Sequence, residues 1–143
     1  EWLEDAAADC PAERVVLDVD ALPERWAGDP KLLHIVVRNL LANADRHSPA
    51  GQEITLAARM LERGELVLRV VDHGEGIPED ERAQVFKKYF RGRTAQGKPG
   101  AGLGLYMVER IVRLHGGRIR AQATPGGGAT FEVRLPLELT HAP

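Results

Sequence analysis

The 143-residue sequence predicts an α+β fold: a two-layer α/β sandwich whose mixed, largely antiparallel sheet is covered on one face by helices. Three observations lead there. Several short segments alternate apolar and polar residues with period two, adjacent segments are joined by turn sequence into hairpins, and two long stretches between them have helical periodicity. The first strand runs from Val15 to Asp20 and points Val15, Leu17 and Val19 one way. Asp29 then caps a helix that Pro30 opens, and Leu32, Leu33, Val36, Val37, Leu40, Leu41 and Ala44 form its core stripe. Glu53 to Met60 sends Ile54, Leu56, Ala58 and Met60 inward; Glu62-Arg63-Gly64 turns the chain into a partner strand, Leu66 to Val71. A second helix is expected from about Leu103 to His115, burying Leu105, Val108, Ile111, Val112 and Leu114, and Gly116-Gly117 stops it. Arg118 to Ala123 and Ala129 to Leu135 make a second hairpin around Thr124-Pro125-Gly126-Gly127-Gly128, with Ala129, Phe131, Val133 and Leu135 on one face. The segment from Phe86 to Gly100 has poor periodicity and reads as a lid.

This length and an apolar content of 43% suit one compact domain over residues 1–143, with its core at about 14–137 and the lid at about 86–102. No run approaches the roughly 18 apolar residues that span a bilayer, and Glu1-Trp2-Leu3-Glu4 does not resemble a secretion signal, so a soluble piece is expected. Its abrupt start in charged, helix-like sequence suggests a fragment of something longer. With 19 basic against 21 acidic residues there is no global field for nucleic acid, and only local clusters matter. Cys10 is alone, which excludes an internal disulfide.

Three local patterns carry chemistry. On the first helix, Asn39, Asn43 and Arg46 stack on the side away from the core stripe. They line a site or face water; if a site, the amide oxygen of Asn43 is a suitable hard ligand for Mg²⁺. After the central strand, Asp72-His73-Gly74-Glu75-Gly76-Ile77-Pro78 places a carboxylate that can accept the exocyclic amino group of adenine, beside glycines that let backbone approach a flat base. The same residues can instead form a glycine turn whose Asp caps a helix starting near Pro78. From Phe86 to Gly100, Lys87, Lys88, Arg91, Arg93 and Lys98 occur without an acidic residue, and Gly100-Ala101-Gly102-Leu103-Gly104 then opens a helix. Free N–H groups and clustered cations suit a polyphosphate.

Two decoys fall away. Gly92 to Lys98 matches most of a P-loop, but Pro99 stands where Ser or Thr must hold the metal, and no strand feeds it. Gly100 to Leu105 fails the dinucleotide pattern, and the meander-like strand order lacks the βαβ unit that pattern requires.

In order, Asn39 to Pro49, Asp72 to Pro78, Val85 to Gly92, Gly100 to Leu105 and Gly126 to Phe131 resemble the asparagine, phenylalanine and three glycine boxes of the catalytic ATP-binding domain of bacterial sensor histidine kinases. That domain belongs to the Bergerat-fold superfamily, with gyrase, heat-shock-90 chaperones and mismatch-repair ATPases. The resemblance covers about Asp29 to Pro136. It implies that Asn43 holds Mg²⁺, that Asn39 and Arg46 line the phosphate side, and that His47 sits against the nucleotide. It implies that Asp72 reads adenine, with Gly74, Gly76, Ile77 and Thr130 nearby, that Phe86 and Phe90 anchor the lid, and that Arg91 and Lys98 reach phosphates. Gly100, Ala101, Gly102, Leu103, Gly104 and Leu105 would fold over the triphosphate. Arg46 departs from the lysine more common there, which keeps the charge but not the geometry.

Hydrolytic members of the superfamily carry a glutamate at the position of Asn39. An amide is a poor base, so the resemblance favours phosphoryl transfer from ATP to a histidine on a separate dimeric phosphoacceptor domain. A response regulator is then expected downstream, on the cytoplasmic side of a membrane-bound parent. None of His34, His47, His73, His115 or His141 lies in the acceptor motif, and His115 reads as a helix C-terminal cap. The alternatives are an ATP-responsive interaction module without catalysis, or a serine kinase of the anti-sigma type.

Overall fold

The computed structural model describes residues 15–19, 29–61, 64–88, 90 and 104–136. Its elements in chain order are β1 (Val15–Val19), α1 (Pro30–His47), β2 (Ile54–Leu61), β3 (Glu65–Val71), a short 3₁₀ turn (Glu79–Glu81), α2 (Gly104–Leu114), β4 (Arg118–Ala123) and β5 (Ala129–Pro136). The five strands form one sheet in the order β1-β2-β3-β5-β4; only the β1–β2 pair is parallel. The expected α+β class therefore holds, with one correction. β1, α1 and β2 do form a βαβ unit, because two parallel neighbours need a crossover and α1 provides it. The dinucleotide motif is still excluded, since its glycines would have to follow β1 and the candidate stretch instead precedes α2.

Period-two patterning becomes cross-strand rows on the helix-covered face. Leu56, Val70, Phe131 and Ala121 lie in one row, and Ala58, Leu68, Val133 and Ile119 in the next. Against these rows pack Leu33, Val36, Val37, Leu40, Leu41 and Ala44 of α1 and Val108, Ile111 and Val112 of α2. Each fully buried Leu, Ile, Val or Phe contributes about 1.5–3 kcal/mol over its exposed state, so this interface supplies most of the drive to fold. Phe86 joins the core edge-on to Phe131, with ring centroids 6.0 Å apart.

The start of α1 is as expected: Asp29 accepts the Lys31 N–H at 2.9 Å, and Pro30 follows it. In α2, Leu114 is not core; it is 72% exposed, because the helix has rotated past its apolar face there. The helix ends in a Schellman arrangement, with the Gly117 N–H bonded to the Val112 carbonyl, that of Gly116 to Arg113, and Gly116 at φ 74°. The side chains of Leu17 and Val19 lie outside the described residues.

The opposite face of the sheet holds a feature that the alternation alone does not announce. Glu132, at the centre of β5, is 1% exposed. It lies in register with Arg69 of β3 and Arg120 of β4, and bonds to Arg69 Nε and Arg134 Nε, each at 2.8 Å. Arg120 approaches at 3.5 Å, and Arg134 also reaches Glu65. Burial alone would push the Glu132 carboxyl up; the bonds and charges of Arg134 and Arg69 outweigh it and hold the group below the usual glutamate range.

Unfolded chain therefore takes up the Glu132 proton first. The stabilisation is complete above the ordinary glutamate value of about 4.3 and is lost as pH falls below it. Glu132→Gln should cost about 1–3 kcal/mol at neutral pH, since half-exposed Arg69 and Arg120 are free to rehydrate and Arg134 keeps Glu65, and should flatten the acid limb of stability. Urea unfolding of both proteins between pH 3 and 7 measures the two effects.

Candidate functional site

Asp72 sits where β3 ends and is 2% exposed. Its Oδ1 accepts the N–H of Gly74 and the N–H of Ala129, each at 3.0 Å. Its own backbone N–H donates to the Ala129 carbonyl at 2.9 Å, so Asp72 is tied to the first residue of β5 through backbone and side chain both. Both side-chain bonds fall on Oδ1, and no described residue donates to Oδ2. The alternative role for Asp72, capping a helix near Pro78, is not what it does: the 3₁₀ turn there has no side-chain cap.

Glycine is required around this carboxylate. A Cβ on Gly74 would overlap the His47 carbonyl oxygen, and one on Gly128 would overlap that of Asp72, with Gly128 also at φ 116°. Gly76 comes against Gly128 in turn, 3.1 Å from its carbonyl oxygen to a would-be Cβ. The end of α1, the loop after β3 and the turn between β4 and β5 thus meet backbone to backbone. Thr130, buried beside them, shares a 2.9 Å hydroxyl bond with Thr124, and half-buried Ile77 packs on the core and accepts from Arg82 Nε at 3.1 Å.

The asparagines of α1 are placed differently from the expectation. Asn43 is 7% exposed and lies on the flank of the core stripe, next to Ala44, rather than on a solvated face. Its Oδ1 receives Arg46 Nη2 at 3.4 Å, while Arg46 itself is exposed. Asn39 is half-buried; its Nδ2 donates to the Ile35 carbonyl at 2.8 Å, and its Oδ1 faces Gly104, 3.2 Å from where a Cβ would stand. The water-facing reading of this trio fails for the two amides and holds only for Arg46.

Phe86 is buried and Phe90 half-buried. Lys88 places Nζ 5.9 Å from the centroid of the Tyr106 ring, which Arg110 also approaches at 5.8 Å. The Lys88 ammonium thus lies beside the first turn of α2. Gly104 and Leu105 form the first turn of α2. Arg91, Lys98, Gly100, Ala101, Gly102 and Leu103, expected at the phosphates, lie outside the described residues.

Among the described residues no group of three or more His, Cys, Asp or Glu side chains could hold a metal. The Asn43 amide oxygen does suit a hard cation, and Mg²⁺ takes most of its ligands from phosphates and water. Sequence reasoning missed Glu132 and the cross-helix bond of His115, whose Nε2 accepts the Asp29 N–H at 3.1 Å. An isolated histidine before two glycines reads only as a cap.

Residues 28–139 match the family described as histidine kinase-, DNA gyrase B-, and HSP90-like ATPase. The chain belongs to this family. Within it, the signal transduction histidine-protein kinase/phosphatase MprB of Mycolicibacterium paratuberculosis is 43% identical over 123 residues, which cover 83% of this chain and 24% of that protein. The chain therefore spans about a quarter of the curated relative that it matches. Among solved structures, the mycobacterial sensor histidine kinase MprB superposes with a TM-score of 0.85 at 30% identity, covering 97% of this chain and 95% of that one. Full-length ShkA in complex with AMPPNP superposes with a TM-score of 0.81 at 26% identity, covering 99% of this chain and 30% of that one. This ATPase-family fold includes no described helix long and apolar enough to cross a membrane.

Gly128→Ala tests the packing around Asp72, since both the backbone angle and the overlap oppose a side chain. It should lower stability by roughly 2–4 kcal/mol, read as a shift in the urea midpoint.

Proposed function

We infer that this chain is the single Mg-ATP-binding catalytic domain of a two-component sensor histidine kinase, which transfers the ATP γ-phosphoryl group to a histidine on a separate dimerisation and phosphoacceptor domain. A response regulator would then receive the phosphoryl group, on the cytoplasmic side of a membrane-bound parent. The observation that carries the reading is Asp72: a buried carboxylate with one oxygen saturated by backbone and the other without a described donor. An exocyclic amino group is a partner that such an oxygen can take, and Gly74 and Gly76 admit a flat base beside it.

Asn39 supports transfer over hydrolysis. An amide is a poor base toward water, and the Nδ2 of this one is anchored to the Ile35 carbonyl. Asn43 would offer Oδ1 to Mg²⁺, and Arg46, whose guanidinium now approaches that oxygen, would turn its charge toward phosphate. Bound Mg-ATP supplies the transferable γ-phosphoryl group. The protein's share is positioning and neutralisation of charge, which is most of what phosphoryl transfer asks of a protein. By resemblance, Arg91, Lys98 and residues 100–105 complete the phosphate side, His47 lies against the nucleotide, and Thr130 stands by the base. The AMPPNP complex of the structural relative ShkA supports nucleotide as the ligand class.

The test mixes this chain with the parent's helical phosphoacceptor domain and radiolabelled ATP. An acid-labile phosphohistidine is expected, and Asn43→Ala should abolish it; acid-stable phosphoserine, or no transfer, would overturn the assignment. Separately, Asp72→Asn should weaken ATP binding by about 1.5–3 kcal/mol, the worth of a charged hydrogen bond, in a calorimetric titration. An unchanged affinity would remove Asp72 from base recognition.

A further inference from the structure

α1 and α2 run antiparallel, and besides their apolar contacts they meet at two places. Asn39 meets Gly104, the first residue of α2, while Asp29, at the start of α1, meets His115 just past the end of α2. His115 is 4% exposed. Its Nδ1 lies 2.8 Å from the Ile111 carbonyl and its Nε2 accepts the Asp29 N–H, which together call for the neutral ring with the proton on Nδ1. Two facts make this ring more than the cap that the sequence suggests. The Schellman bonds of Gly116 and Gly117 already close α2. The N–H of the residue capping α1 would ordinarily be met by a Glu or Gln three positions on, and that position is Leu32, which has no acceptor to offer. His115 supplies it from the other helix.

The apolar contacts between the helices are non-directional and resist separation better than sliding. A buried hydrogen bond has a direction. We propose that His115 is a positioning residue for nucleotide binding: it fixes the register of α2 on α1, and so the place at which Gly104 meets Asn39. The inference rests on the nucleotide reading of the site. It assigns His115 no contact with nucleotide, only control over where the far end of α2 stands.

Two substitutions divide the ring's roles. In His115→Asn the carboxamide reproduces Nδ1 and falls short of Asp29; in His115→Gln an oxygen reaches the Asp29 N–H. Binding of a fluorescent ATP analogue with Mg²⁺ to the whole chain should weaken at least fivefold in His115→Asn and stay within twofold of the parent in His115→Gln. A role confined to capping α2 would give the reverse order, and equal effects of the two would equally overturn the proposal. Spin labels at the exposed positions 38 and 110 (Arg38→Cys, Arg110→Cys, with Cys10→Ser) read the register without nucleotide. Their distance distribution should shift or broaden in the Asn variant and not in the Gln variant; matching distributions in all three proteins would sink the register claim. If the parent chain itself binds no ATP analogue, the nucleotide reading fails, and the label distances still decide the clasp.

Discussion

One carboxylate oxygen organises the site. Asp72 Oδ1 receives N–H groups from Gly74, two residues on, and from Ala129, fifty-seven residues away, and so joins the loop after β3 to the start of β5. Removing a charge from water costs several kcal/mol, and these charge-assisted bonds, each worth about 1.5–3 kcal/mol, offset much of it. The geometry then propagates outward: Ala129 cannot come that close unless Gly128 lacks a side chain, and the loop cannot reach the end of α1 unless Gly74 does too. The glycines are consequences of where the carboxylate must sit.

The two faces of the sheet solve different problems. The helix-covered face is a continuous apolar layer that holds α1 and α2 in place, which is why Asn43 can be carried into a nearly buried position beside Ala44. Over the other face no helix packs among the described residues. There Glu132 is covered by the arginines that neutralise it, with Arg69, Arg120 and Arg134 spanning β3, β4 and β5. Arginine suits this work because its stem covers neighbouring surface while its planar head bonds in two directions.

The start of α2 is also held in place. The Lys88 ammonium lies 5.9 Å from the centroid of the Tyr106 ring, which joins the end of the loop after the 3₁₀ turn to the first turn of α2. Behind Tyr106, α2 is anchored in the core by Val108, Ile111 and Val112 and closed by Gly116.

Strand periodicity, the cap at Asp29-Pro30 and the glycine turns were legible because each depends on residues a few positions apart: alternation, a side chain reaching its own helix, a backbone angle. The order of the boxes was legible for the same reason, and the family match bears out the class of fold they resemble. What the sequence by itself determined was therefore the set of elements and the chemistry each could offer. It could not say that β1 and β2 are parallel around α1, that Asn43 is nearly buried while Leu114 is bare, or that His115 crosses to Asp29. Nor could it gather Glu132 and three arginines from separate strands into one cluster. Those facts depend on which distant segments become neighbours, and that is decided only when the apolar rows of the sheet pack against α1 and α2.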